Sequence, residues 1–298
     1  MSREKTLRPQ LNRLVFRLKT SDTLGEGGVK PMLKLYHNDM SSCAQKVRFV
    51  LAEKAVEWES EELNLRAGDQ LKPEFLQINP KGLVPVLEHD GNILIESNVI
   101  IEYLNEVFPE PALLPADAYG RALARRWMKR LDDGVHLETI VLSFGIAFRH
   151  QLIATLETDE ALEHHFSSIP DPYIQNVQRQ VVTGGIGSPR FEQAILVFEK
   201  LLKELDQELA SHTWIVGDAL TLSDIAYAPY GTRLEHLHLS RMWDNKPNFA
   251  RWYEAIKETS GYQTGLAEWF NPNYLPLMDK AGNEAWPRIA KLLAAIDT

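Results

Sequence analysis

The sequence predicts two domains, an α/β unit followed by an all-α half. Three observations carry this. Short apolar runs before residue 100 alternate at strand period, and an Asp-Gly pair separates two of them. Beyond a proline-rich stretch around residues 108–116 the apolar spacing turns helical.

Leu33-Lys34-Leu35-Tyr36 alternates and starts the first strand. Ser41-Ser42 offers a helix N-cap, and Val47, Val50, Leu51 and Ala55 follow at helical spacing. Trp58 to Leu65 reads as a second strand, and Glu74 to Asn79 as irregular or a short helical turn. Leu83–Leu87 and Ile93–Ile95 flank His89-Asp90-Gly91-Asn92, a hairpin signal. Val99, Ile100, Tyr103, Leu104, Val107 and Phe108 then mark one face of a helix. The order is βαβββα over residues 32–109.

Pro109, Pro111 and Pro115 place a linker at 110–116. Residues 117–298 read as an all-helical domain. Long helices are expected over Asp117 to Glu138, Phe191 to Leu209 and Pro247 to Lys257. Residues 166–190, rich in Pro and Gly, read as a long surface loop. Thr221-Leu222-Ser223-Asp224 fits a capping box, a folding signal rather than a chemical one.

A chain of 298 residues with 44% hydrophobic and 24% charged residues has the composition of a globular protein able to bury a core. A net charge of -9 argues against a nucleic-acid partner, which needs a basic surface. The single cysteine, Cys43, excludes an intrachain disulfide and fits a reducing, cytoplasmic setting. No unbroken apolar run reaches membrane-spanning length and no secretory signal is visible, so no membrane partner is expected. Residues 1–31 carry seven Lys and Arg against three acids. They read as a disordered or irregular extension or as sequence upstream of a start at Met32, with an organelle transit peptide as the alternative.

The chemistry-bearing residues cluster in the first half. The residue before a proline is pushed to extended geometry, so Val84 before Pro85 can present its backbone to a ligand, or the pair is a plain turn. Glu96 and Ser97 sit where a strand meets a helix N-terminus, which attracts an anion and is also capped in the ordinary way. Ser41, Ser42 and Cys43 open another helix. Gly184-Gly185-Ile186-Gly187 lacks the spacing and βαβ context of a dinucleotide site. His164-His165 and His236-Leu237-His238 lack metal-ligand spacing and read as surface or packing residues, so no metal site is expected.

A βαβββα unit with a Val-Pro step entering its third strand is the thioredoxin-like plan. Ser41-Ser42-Cys43-Ala44-Gln45-Lys46-Val47-Arg48 resembles the first helix entry of cytosolic glutathione transferases, with a Ser-Ser-Cys triplet similar to the zeta class. Asn79 to Glu88 resembles the omega class, Glu96-Ser97 the family's γ-glutamyl signature, and Leu220 to Ile225 the start of its buried central helix. The resemblance spans about Met32 to Ser260. It implies an enzyme that uses glutathione as cosubstrate and adds its thiol to a small electrophile, such as an aromatic ether or halide. It also implies a homodimer.

The resemblance further implies a cis Val84-Pro85 bond that pairs with the peptide of glutathione. Glu96 and Ser97 would hold the γ-glutamyl end, and Lys72 the glycyl carboxylate. A free thiol with a pKa near 8.5 is only about 3% thiolate at pH 7, so the enzyme must favour the anion. Ser41, as a hydrogen-bond donor at the helix N-terminus, is the expected thiolate partner. Ser42 is expected to assist or replace it, and Cys43 is the third candidate. Two other readings stay open, a thiol transferase working through Cys43 and a non-enzymatic binding protein on the same fold. The electrophile site is expected between the domains, near Trp127, Arg130, His136, Phe144, Phe148 and Arg149.

Overall fold

A computed structural model describes residues 32–296. The extension expected over residues 1–31 lies outside the described residues. The first elements are β1 (Leu33–His37), α1 (Ser42–Glu53), β2 (Glu59–Glu62), α2 (Pro73–Ile78), β3 (Val86–His89), β4 (Asn92–Ile95) and α3 (Ser97–Val107). The sheet runs β2-β1-β3-β4, with β1 parallel to β2 and antiparallel to β3. The Asp90-Gly91 hairpin forms as expected, with φ of 50° and 80°, the left-handed values that a two-residue turn of this kind requires.

Alternation along β1 buries Leu33, Leu35 and His37 on one face. That face joins Val47, Val50 and Leu51 of α1 and Ile100, Ile101 and Leu104 of α3 in the main core. The other face is covered by α2, with Phe75, Leu63 and Val86 packed beside Tyr36 and Ile95. Of the two readings of Glu74 to Asn79, irregular or a short helical turn, the structure has the helical one, begun by Pro73, whose missing N–H costs nothing at a first helical position.

The helical half comprises α4 (Ala118–Arg130), α5 (His136–Ser143), α6 (Arg149–Leu156), α7 (Asp159–Ser167), α8 (Pro172–Gly184), α9 (Pro189–Glu208), α10 (Leu222–His236), α11 (Pro247–Lys257), α12 (Ser260–Gly265) and α13 (Leu275–Ala294). The long helix expected from Asp117 continues to Leu156 but is interrupted by π-helical turns at Leu131–Val135 and Phe144–Phe148. This stretch is apolar and long enough by composition to cross a membrane. Here its apolar residues pack on α9 and α10.

The loop expected over 166–190 is corrected by the structure. Asp171 caps α8, accepting from the Tyr173 and Ile174 N–H groups, Pro172 occupies its first turn, and Gly185 ends it at φ 54°. Proline and glycine bound a helix there instead of interrupting one.

The capping box at Thr221 forms and does more than start α10. Asp224 Oδ2 accepts from the Thr221 N–H at 2.9 Å and the Thr221 hydroxyl at 2.8 Å. Its Oδ1 accepts from Ile215 N–H at 2.8 Å and Trp252 Nε1 at 2.9 Å. Replacing Asp224 with Ala strands four donors in the core and is expected to cost about 3 kcal/mol. Urea unfolding of Asp224→Ala measures this, and a loss below about 1 kcal/mol would contradict the assignment.

Candidate functional site

Sheet register gathers the candidate residues at one end. Tyr36 pairs with Val86, and Val86 pairs with Ile95. The chain therefore leaves β1 toward α1, enters β3 through Val84-Pro85, and leaves β4 through Glu96-Ser97 into α3, all at the same edge. The Val84-Pro85 peptide is cis.

The loop from β1 to α1 is held from beneath by a buried cation. Arg48 Nη1 donates to His37 Nδ1 at 3.0 Å and to Asn38 O at 2.9 Å. Its Nη2 donates to Asp39 O at 2.9 Å, and its Nε to Gly265 O at 2.9 Å. Burial, with the adjacent Arg48 charge, pulls the His37 pKa down to about 2, so the ring is neutral. Because Nδ1 accepts from Arg48, the ring proton sits on Nε2, which donates to Ser60 Oγ at 2.7 Å. A second buried arginine, Arg233 of α10, donates to Met40 O and, at 2.7 Å, to Ser143 Oγ.

This loop delivers Ser41 as the N-cap of α1. Its Oγ accepts from the Ala44 N–H at 3.3 Å, which leaves its own hydrogen free to be donated. Ser42 Oγ is buried without a partner. Cys43, in the first turn, turns toward the helical half, with Sγ 3.7 Å from His136 Nδ1 and 3.6 Å from Nε2. Near-equal distances to both nitrogens put the sulfur off either N–H axis, so the contact is not a linear hydrogen bond. His136 opens α5 just after the π-helical turn that contains Gly134 at φ 154°, and Tyr230 Oη lies 3.3 Å from its Nδ1.

Burial pushes the Cys43 thiol up. The charges of His136 and Lys46, with hydrogen bonds from His136 and Ser97, more than offset this and hold its pKa at about 6. Lys46 is itself buried and donates to Asn98 Oδ1 at 3.1 Å. Asn98 in turn donates to Met128 O at 3.1 Å and to the Asp132 carboxylate at 3.0 Å, tying α1 and α3 to the helical half.

The structure thus brings Ser41, Ser42, Cys43 and Ser97 together at two adjacent helix N-termini. Glu96 precedes Ser97 at φ 71° and ψ 107°, outside the wells that a side-chain-bearing residue ordinarily occupies, a conformation that costs on the order of 1–3 kcal/mol and tends to mark ligand sites. Its carboxylate meets exposed Lys81 at 2.6 Å. Lys72 stands apart at the start of α2, exposed and paired with Asp69 at 2.6 Å.

Lys46, Arg48, Asn98, Tyr230 and Arg233 were not singled out by sequence reasoning. One signal was available for the first two. Helix α1 is buried over most of its length, and cations inside an otherwise apolar helix require built partners.

The family model described as Glutathione S-transferase, N-terminal domain, matches residues 40–107. Its C-terminal domain counterpart matches residues 188–255. The chain is 34% identical over 201 residues to Protein LigF of Sphingobium sp. (strain NBRC 103272 / SYK-6), covering 65% of this chain and 75% of that protein. It is 33% identical over 240 residues to Glutathione S-transferase Z1 of Arabidopsis thaliana, covering 79% and 92%. The crystal structure of beta-etherase LigF from Sphingobium sp. strain SYK-6 superposes with a TM-score of 0.73 at 25% identity, over 80% of this chain and 99% of that one.

The thiol environment is directly measurable. Ultraviolet titration of thiolate absorbance in the unliganded protein is expected to show Cys43 ionising near pH 6. His136→Asn removes the imidazole that holds the thiol pKa down and is expected to raise that midpoint by at least about one unit. A midpoint above 8 in the unsubstituted protein contradicts this electrostatic account.

Proposed function

The chain belongs to the glutathione S-transferase family, and we propose that it binds glutathione where α1, the Val84-Pro85 step and α3 meet, holds the thiol as thiolate, and delivers it to an electrophile. It is an enzyme of that family, with glutathione as its cosubstrate. The observation that carries the site is the Ser41 cap. Its oxygen serves Ala44, so its hydrogen remains for the sulfur, at the positive end of α1.

In this reading the Val84 backbone pairs with the glutathione peptide as an added strand. The α3 N-terminus and Ser97 take the γ-glutamyl carboxylate, and Glu96 its ammonium. Lys72, shared with Asp69, reaches the glycyl carboxylate. Ser42 is the alternative donor, supported by its buried, unpartnered Oγ. The thiolate attacks an electrophilic carbon, a C–S bond forms, and the leaving group departs with its electron pair. An aromatic ether or halide is the proposed class, supported by similarity to a beta-etherase.

The Cys43–His136 contact favours a second reading. A Cys43 thiolate attacks the disulfide of oxidised glutathione, forming a mixed disulfide and releasing a glutathione thiolate that His136 can protonate. A second glutathione thiolate then attacks the glutathione sulfur bonded to Cys43, forming glutathione disulfide and releasing Cys43 as thiolate; with a substrate–glutathione mixed disulfide in place of oxidised glutathione, the net result is reduction of the substrate to its thiol.

Residues 32–109 are proposed as the glutathione-binding domain, 110–116 as linker, 117–298 as the domain that contributes the electrophile site, and 1–31 as an extension. A cytoplasmic homodimer is proposed. A groove of about 720 Å³ between α3 and α4, edged by Val99 at 56% exposure, supports a second copy docking there.

A hydrogen bond to a charged group is worth about 1.5–3 kcal/mol, or about one to two pKa units. Ser41→Ala is therefore expected to raise the pKa of the bound glutathione thiol by that much and cut turnover of 1-chloro-2,4-dinitrobenzene about tenfold or more near pH 6.5. Difference absorbance with and without glutathione reads the shift. An unchanged titration removes Ser41 from the role, and a shift in Ser42→Ala instead assigns it to Ser42. A glutathione adduct on Cys43 after treatment with oxidised glutathione, detected by mass spectrometry, is expected from the second reading.

A further inference from the structure

Along the α5 face, the site continues away from Cys43. His136 meets the thiol, Ser143 meets Arg233, and Phe148 lies beyond. Arg233 also donates to Met40 O, the carbonyl next to Ser41, so this region adjoins the thiol end of the site.

Three features here call for an anion. First, Arg48, Arg66 and Arg233 are bound by carbonyls, the imidazole of His37, the Ser143 hydroxyl and the Gln151 amide rather than by carboxylates in direct contact. Asp39 and Glu62 act on them only from further off. Buried charge is ordinarily paired, and none of these three guanidiniums touches a carboxylate among the described residues. Second, Arg233 Nε and Gln151 Nε2 are buried donors without an acceptor, and Gln151 is the residue that accepts from Arg66 Nε at 2.8 Å. Third, aromatic rings stand among the cations. The Arg66 and Arg233 guanidinium carbons lie 5.4 and 5.0 Å from the Phe148 ring centroid, and Arg66 lies 3.5 Å from that of Tyr274. Arg66, Phe148 and Tyr274 are half-buried, so this is the open side of the cluster, with buried Arg233 behind it.

We infer that the second substrate is an aromatic electrophile carrying a carboxylate, its ring against Phe148 and Tyr274 and its anionic group between Arg66 and Arg233. The inference rests on the transferase reading for the reaction but not for the binding. In the reaction, the glutathione thiolate forms a bond to the ring carbon bearing the leaving group, and that group leaves with the bonding pair while the carboxylate stays ion-paired.

Matched probes test this. In 4-chloro-3,5-dinitrobenzoate and 2-chloro-1,3-dinitrobenzene the reacting carbon is the same and only the carboxylate differs. The unsubstituted protein is expected to favour the carboxylate at least tenfold in kcat/KM, and Arg66→Gln to reduce that ratio about tenfold. A loss in Arg66→Gln shared equally by both substrates reports damage to the fold or the thiol site and overturns the proposal. A rise in KM for glutathione with the ratio unchanged assigns the arginines to glutathione and also overturns it. Calorimetry with 3,5-dinitrobenzoate and 1,3-dinitrobenzene, which have no leaving group, separates this inference from the transferase reading. Tighter binding of the carboxylate in a protein that turns over neither chloride sustains the inference and removes the transferase reading, whereas equal affinities overturn the inference whatever the turnover.

Discussion

The geometry of the proposed glutathione end depends on one buried guanidinium. Arg48 projects from α1 back under the loop that precedes that helix, and its hydrogen bonds hold His37, Asn38 and Asp39 while reaching Gly265 on α12. Burial lowers its pKa to about 9, which leaves it charged at neutral pH. Loop carbonyls that would otherwise be stranded in the core gain a charged donor, and burial, with the same contact, keeps His37 neutral. α12 comes close enough to α1 that a Cβ on Gly265 would lie 2.7 Å from Arg48 O. The position of Ser41 at the head of α1 is therefore set from both halves of the chain.

The two sulfur-facing positions on α1 carry a physical tension. A Cys43 thiolate held by His136 and Lys46 stands two residues from the serine proposed to hold the glutathione thiolate. Two unit charges about 4 Å apart at an effective dielectric near 20 repel by about 4 kcal/mol. Two thiolates side by side thus favour a state in which one of the two sulfurs is protonated, and His136, 3.6 Å from Cys43 Sγ, lies within reach of that proton. Its place after a π-helical turn fits the tendency of such turns to occur at functional sites.

Much of the first half was legible in the sequence because its signals are local. Strand alternation at Leu33–Tyr36, the Asp90-Gly91 turn and the Ser41 cap each depend on a few adjacent residues, as does the Thr221 capping box in the helical half. The Ser41, Ser42 and Ser97 positions were legible for the same reason, since helix N-termini announce themselves. Other features depend on partners far along the chain. Cys43 meets His136 across 93 residues, and Arg233 meets Met40 across 193. No local pattern specifies such pairs. The error at 166–190 has a different origin. Pro172 and Gly185 were read as breakers when they occupy the two positions where helices favour them.

We propose that Ser41, at the positive end of α1, meets the glutathione sulfur while α3 takes the γ-glutamyl end. A crystal structure of the protein with bound glutathione is the direct test. The sulfur is expected within hydrogen-bonding distance of Ser41 Oγ, the peptide paired with Val84, and the γ-glutamyl carboxylate at the Ser97 N–H. A sulfur bonded to Cys43, or a glutathione molecule seated away from Val84 and Ser97, would contradict it.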